Sequence, residues 1–401
     1  MPYTITTNFK ATGSIDLGTR LITKDYLLDF YGNILPSLTT TPGLFAWGDN
    51  DYGQNGVNGG IDRPTPVATT SSANNNWKQI SSFHFHTSVI NTSGELWSWG
   101  FNGYGGLGVA NDTTNRLTPT KEFNGATTWR QVSAGTHHTC SVKTDGTLWC
   151  WGRNQNGQLG VNDTTNRNTP VQVGTAVDWR QVDCGQSHSS AIKINGTLWS
   201  WGNNYSGQLG INNTTQKNTP VPEFNGATTW KSVACGGYTT SAIKTDGTLW
   251  SWGFNTNGQT GNNGNTNVQT PVQTLAGGTN WKQVSAGKKH TVAIKTDGTL
   301  WSWGINGSGQ LGVNGTTTRF TPVQEFNSAQ TWNSVACGGY TTSAIKTDGT
   351  LWMWGYNNQS QLGLNDTTAR QTPVNVGGGN NWKKVAAGYQ HTAAIKSTDL
   401  V

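Results

Sequence analysis

Apolar residues along this chain come in short bursts, separated by polar stretches rich in glycine, asparagine and threonine. Around residue 150 four bursts read as strands: Gln131-Val132-Ser133-Ala134, Thr139 to Lys143, Thr147 to Trp151, and Thr169-Pro170-Val171. The second and third are joined by Thr144-Asp145-Gly146, a tight-hairpin signal. The fourth carries a proline, which suits an edge strand because the missing N–H costs least there. In Leu148-Trp149-Cys150-Trp151-Gly152 the two indoles stand at i and i+2, on one face of the strand. They are expected to pack against a neighbouring sheet, so that each sheet is buried on both faces.

The burst recurs. A Trp-Gly pair begins at Trp47, Trp99, Trp151, Trp201, Trp252, Trp303 and Trp354, in steps of 52, 52, 50, 51, 51 and 51 residues. A fixed period near fifty marks propellers and solenoids. All twenty tryptophans fall into this frame, so none is left over for a separate site. The last unit stops at Ile395-Lys396, where an L-W-S-W-G strand is due. The first repeat segment, Leu44-Phe45-Ala46-Trp47-Gly48, is that strand, followed by its own Thr65-Pro66-Val67. One sheet would then take two strands from each end of the chain. Closure covers the faces that an open stack leaves exposed. The expected fold is therefore all-β, a seven-bladed β-propeller of four-stranded blades with the last blade shared by both chain ends.

Residues 1–43 lie outside the repeat and are expected to form an anchoring extension and linker, with the propeller over 44–401. One short helix is expected here, capped by Thr23, favoured in its first turn by Asp25 and ended by Gly32. Tyr26, Leu27, Phe30 and Tyr31 would form its apolar face. Such a face must dock on something, so these four and Leu17 are the candidate anchor.

A chain with 33% hydrophobic and 11% charged residues can pass for disordered, yet twenty tryptophans argue for burial. The net charge of +6 is dispersed by the repeat. One register carries Lys143, Lys193, Lys244, Lys295, Lys346 and Lys396, and another carries Lys78, Arg130, Arg180, Lys231, Lys282 and Lys383. On a ring these make either a basic rim or a set of solvated strand ends. No basic helix or like-charge run is present, so nucleic acid is not an expected partner. No apolar run reaches membrane-spanning length, and no basic segment precedes an apolar leader, so membrane insertion is not expected. Of five cysteines, Cys140 and Cys150 flank a predicted hairpin within reach of each other, and whether they bond stays open. Cys184, Cys235 and Cys337 share a register with Ala134, Ala286 and Ala387, which reads as small buried residues.

The unit G-x-x-H-T-x-A-[IL]-x-x-D-G-x-[LV]-[WY]-x-W-G-x-N-x-x-G-Q-L-G, carried cleanly by His188 to Gly210 and His290 to Gly312, resembles the repeat of the RCC1 (regulator of chromosome condensation) family. The resemblance implies a propeller that works by binding, among exchange factors, regulatory domains and inhibitors. In that family exchange activity goes with a wedge inserted in one blade, and the even spacing here leaves no room for one. The segment from Ile15 to Asp29 also looks like the opening of RCC1-repeat proteins of tailed phages. If so, residues 1–43 dock into a virion and the propeller is the exposed head.

His86, His138, His188, His290 and His391 share one register, which a closed ring would arrange around its axis. They read either as a pH-sensitive or metal-binding ring or as structural groups bonded to the adjacent blade. Thr239 and Thr341 fill the register in the other blades, which favours the structural role and no metal. His84 and His137 are extra and expected to be exposed. The Asn-Asp-Thr-Thr loops read as turn formers more than calcium sites. Aromatics at variable loop positions, Phe83, Phe85, Tyr104, Tyr205, Phe254, Phe320 and Tyr356, are the candidate partner anchors. No nucleophile motif, phosphate-cradling loop or isolated carboxylate pair is present, so neither catalysis nor a cofactor is expected. The leading expectation is a virion component, in tail, baseplate or capsid decoration. It would bind other virion proteins through residues 1–43 and present the propeller to a host surface receptor or glycan. The alternative is a cytoplasmic interaction module of exchange-factor or inhibitor type, or a glycan-binding propeller.

Overall fold

The computed structural model describes residues 43–70, 76–275 and 277–397, together with the backbone of three short strands nearer the N-terminus. The chain divides into two units, Met1–Thr41 and Pro42–Val401.

In the larger unit, seven sheets of four antiparallel strands follow one another. We number the blades from 1 to 7 by their first strands, which open at Trp77, Trp129, Trp179, Trp230, Trp281, Trp332 and Trp382. Blade 2 shows the pattern, with Trp129–Ala134, His138–Lys143, Leu148–Gly152 and Arg167–Gln172 paired in chain order. Its hairpin turns at Gly146, whose φ is 80° and where an added Cβ would meet Val177 O at 2.0 Å, so only glycine fits. The Asp145 carboxylate accepts the amide and hydroxyl of Thr147, and that hydroxyl accepts the Trp149 indole N–H.

Blade 7 closes the ring. Leu44–Gly48 lies between His391–Lys396 and Arg63–Ala68, in a register running from His391 opposite Gly48 to Ile395 opposite Leu44. Each pair of adjoining blades shares one apolar cluster. Ile90 and Leu96 of blade 1 meet Trp129, Val132 and Trp151 of blade 2. Across the closing seam Leu44, Ala46, Ala393 and Ile395 meet Trp77, Ile80, Val89 and Trp99. Both faces of each sheet are thereby dry, with side chains contributing roughly 1.5–3 kcal/mol each. Polar latches reinforce the seams, though at the blade 1–2 seam the Thr139 hydroxyl bonds to Gly106 O without help from the Trp151 indole. Gln158 O of blade 2 accepts both the Trp201 indole N–H and the Ser189 hydroxyl of blade 3, each at 2.9 Å.

The lysines of the second strands do not form a free basic rim. Lys143, Lys193, Lys244, Lys295, Lys346 and Lys396 lie between 4.0 and 5.2 Å from the centroids of first- and third-strand rings. In the other register, Arg130 and Arg180 each donate to two carbonyls of the next blade.

Cys140 and Cys150, directly opposite in register, are joined by a disulfide. Cys184, Cys235 and Cys337 are buried free thiols whose pKa burial pushes up, to about 12 at Cys337.

The N-terminal strands correct the expected helix. Leu21–Thr23 pairs antiparallel with Ile15–Asp16 and with Tyr26–Leu27, so residues that the expected helix would cap and begin stand in strands instead. β-Branched Ile22 and Thr23 with aromatic Tyr26 favour the hairpin. The anchor residues Leu17, Phe30 and Tyr31 lie outside the described residues, as do the side chains of Tyr26 and Leu27.

The first strands line a central channel of about 260 Å³. Its walls carry one acidic side chain among the described residues, Asp183. One oxygen accepts from Ser133 Oγ of blade 2 at 2.8 Å and the other from Cys235 N of blade 4 at 2.6 Å. Enclosure by the flanking blades outweighs these bonds and pushes its pKa up to about 6. The stability that Asp183 contributes is full below its ordinary value of 3.8 and is lost as pH rises through about 6. An Asp183→Ser variant should therefore gain on the parent by about 2 kcal/mol between roughly pH 4 and pH 8. Urea unfolding of both proteins at the two pH values checks this.

Candidate protein-interaction face

Two sets of connections emerge on one face of the ring, those between first and second strands and those following third strands. Backbone bonds clip them together, as Phe101 N does to Phe85 O and Arg153 N to His137 O. Buried Asn102 holds its loop from inside, accepting from Leu107 N and donating to Asp112 O. Asp112, Asp163 and Asp366 are each tied to an arginine four residues on, so the Asn-Asp-Thr-Thr loops close on themselves.

Beneath this face lies the histidine register. His86, His138, His188, His290 and His391 place Nε2 2.9–3.1 Å from the hydroxyls of Thr139, Ser189, Thr240, Thr342 and Thr87 in the next blade. Those hydroxyls donate onward to backbone carbonyls, as Ser189 does to Gln158 O and Thr240 to Gln208 O. The imidazole must then be the donor, neutral with its proton on Nε2. Burial depresses all five pKa values, to about 3 at His86, His138 and His188 and about 4 at His290 and His391. Thr239 and Thr341, in the same register, are too short to bridge, and their hydroxyls have no partner.

On the face itself the aromatic side chains form a continuous arc. Tyr356 meets Tyr340, Tyr340 meets Tyr389 at 5.7 Å, and Tyr389 stacks on His84 at 4.4 Å. His84 abuts Phe85, which meets Tyr52, Phe101 and His137. Phe101 and His137 both reach Tyr104, and Arg153 caps Tyr104 at 5.4 Å. Lys288 lies over Tyr340 and Tyr389 near the other end. Every one of these residues is half-buried.

The sequence-derived anchors divide accordingly. Phe85, Tyr104 and Tyr356 join the arc, and Phe254 packs against Tyr238 on blade 4 of the same face. Tyr205 is solitary and 72% exposed. Phe83 is 6% exposed and lines the channel instead, in the register where the other blades have glycine. Phe320 lies on an outer strand, against Gly258 of the preceding blade. His84 and His137 are not exposed but half-buried within the arc, where burial lowers their pKa to about 3 and about 4. Tyr52, Phe101, Tyr340 and Tyr389 were missed, although aligning the positions after each Trp-Gly and before each His-Thr would have singled them out.

Two described groups bring metal-ligand atoms together. His138, Cys140 and Cys184 include a sulfur already bonded to Cys150. Asp49, Asp51 and Asp62 serve their own loop, with Asp49 accepting from Asp51 N and Asp62 from Asn50 N.

The sequence matches the RCC1-like domain over residues 34–277 and the RCC1 repeat over 297–345 and 348–395. The chain belongs to the RCC1 family. The ultraviolet-B receptor UVR8 of Arabidopsis thaliana is 31% identical over 363 residues, which cover 89% of this chain and 71% of the receptor. The human regulator of chromosome condensation is 29% identical over 394 residues, covering 90% and 92%. The crystal structure of Prp20p from Saccharomyces cerevisiae superposes with a TM-score of 0.79 at 22% identity, covering 90% of this chain and 92% of that one, which shows a shared fold. In this RCC1 propeller no described helix is long and apolar enough to cross a membrane.

Proposed function

We propose that this RCC1-family propeller is a protein-interaction module, without chemistry of its own, whose partner seats on the aromatic arc. The observation that carries this reading is the unbroken run of half-buried rings from Tyr356 to Tyr104, bracketed by Lys288 and Arg153. Rings held by neighbours lose little freedom on binding, and aromatic clusters of this kind carry most of the energy of protein interfaces. The flanking cations suit a partner with an apolar centre and acidic edges. Prp20p is described by its binding to Gsp1p and histones, and a second structure holds it with Kap60. The relatives are plant, human and yeast proteins, which supports an intracellular binding role over that of a virion component.

Photo-crosslinking tests the assignment. A crosslinker at Tyr389 or Tyr104 should trap the partner, while one at Phe224 should not. Phe224 is 55% exposed and follows Pro222, which pairs with Trp199 at the far end of its blade. Phe85→Ser and Tyr389→Ser should each weaken the captured complex by roughly tenfold or more while the protein stays folded, with its cooperative melt lowered only by the packing each ring loses. Trapping from Phe224 alone would overturn the reading.

A further inference from the structure

The loops that lead into the first strands contain a recurring carboxylate site, filled by glutamate in three blades, and at Trp179 neither a carboxylate nor a carbonyl takes its place. In blade 1 the side chain of Glu122 turns inward. It accepts from the amides of Asn124 and Ala126 and from the indole N–H of Trp129 in blade 2. Glu223 does the same for Trp230, and Glu325 for Trp332. Where glutamate is absent, a backbone carbonyl substitutes, Gly277 O for Trp281 and Gly377 O for Trp382.

Trp179 has neither. The residue in the glutamate register is Val173, whose amide bonds to Leu148 O as that of Glu122 does to Leu96 O. The indole N–H of Trp179 is buried without a partner, on a residue only 3% exposed. A buried donor left unpaired is costly and uncommon. Beside it the structure holds an open cleft of about 520 Å³ between blades 2 and 3. Val161, Val171, Ala176, Trp199 and Pro220 give the cleft apolar walls, and Lys193 supplies a cation. The ammonium of Lys193 lies over the Trp179 and Trp199 rings and pairs with Asp178 at 3.1 Å. Arg167, also on the wall, is engaged by Asp163.

We propose that this cleft binds a small molecule carrying a carboxylate on an apolar body. The carboxylate takes the Trp179 indole N–H, as Glu122, Glu223 and Glu325 do for their own tryptophans. Lys193, shared with Asp178, lies on the same wall as the nearby cation, and the cleft walls hold the apolar portion. The sister blades are an internal precedent, since the same fold already pairs an indole with a carboxylate at three equivalent places.

The test uses the full chain and the indole N–H resonance of Trp179, assigned by its loss in Trp179→Phe. Sodium hexanoate is the probe, with hexanol as the uncharged control and N-acetylglutamate amide as a mimic of a protein side chain. Hexanoate at millimolar concentration should move that resonance saturably, and hexanol should not. Trp179→Phe should weaken hexanoate binding, followed by calorimetry, by roughly tenfold. Val173→Glu, which supplies an internal carboxylate, should do the same, and it decides the matter if Trp179→Phe fails to fold. No saturable shift with hexanoate would overturn the proposal. So would an equal response to hexanol, or binding of N-acetylglutamate amide alone, which would give the cleft to a partner's acidic side chain.

Discussion

Acidification to about pH 5 is expected to unfold the propeller in one cooperative transition. Five buried imidazoles are neutral donors in the seams, with pKa values of about 3 to about 4 against an ordinary 6.5. A group whose folded pKa is depressed in this way takes up its proton mainly on unfolding. Its stabilising contribution is present above pH 6.5 and is lost as pH falls toward the folded value. At about pH 5 each histidine costs about 2 kcal/mol, and five cost about 10 kcal/mol. That is comparable to the whole stability of an ordinary domain, roughly 5–15 kcal/mol. Tryptophan fluorescence and circular dichroism against pH measure the transition. Replacing all five by threonine, the residue at positions 239 and 341, should move its midpoint downward. The aspartates of the hairpin turns, Asp145, Asp246, Asp297 and Asp348, are held below their ordinary range by bonds from the following threonine, or at Asp145 chiefly from its amide. Their losses therefore fall at lower pH, beneath the histidine window. A five-fold variant with an unchanged midpoint would take acid sensitivity away from the seam histidines and assign it to His84, His137 or the carboxylates.

Deleting residues 1–68 is expected to abolish the folded state, although six complete blades remain. The deletion removes the third and fourth strands of blade 7 and exposes two seams. One seam loses Trp47, which is fully buried against Ile345, Leu351 and Trp382, and the other loses Leu44 and Ala46. At roughly 1.5–3 kcal/mol for each large side chain uncovered, the loss exceeds what a domain has in reserve. The matching control is a circular permutant. Lys396 N already bonds to Gly43 O across the junction. A Thr-Asp-Gly-Thr connection from Lys396 to Leu44 copies the hairpins of the other blades, and the chain can be opened at Gly226, where a Cβ would meet nothing within 4 Å. The permutant should melt close to the parent while the deletion aggregates. A soluble, cooperatively melting deletion variant would show that blade 7 is dispensable.

The ring, its strand order and its closing blade were legible because they follow from spacing alone. A period near fifty, two indoles on one strand face and a severed unit at the ends admit few other solutions. What escaped depends on which loops meet across blades. Tyr389 and His84 lie far apart in sequence, and their stacking depends on how adjoining blades are clipped together, as Tyr389 N is to His84 O. Phe83 and Phe320 satisfy the same composition rule as Phe85, yet one fills the channel and the other an outer strand. The N-terminal hairpin was misread because i, i+1, i+4 spacing over so few residues also fits two short strands. The orphaned Trp179 N–H was invisible for a different reason. Only the structure shows that Glu122 bonds an indole, and hence that Val173 leaves one unbonded.

The pairing of Leu44–Gly48 with His391–Lys396 also orders events during synthesis. At bacterial or eukaryotic elongation rates, on the order of half a minute separates the emergence of these two segments from the ribosome. Through that interval the hydrophobic strand around Trp47 has no mate on one side. The nascent chain is most prone to stick to its neighbours then, and slower growth temperatures or added chaperones should raise soluble yield more than any change to the finished surface.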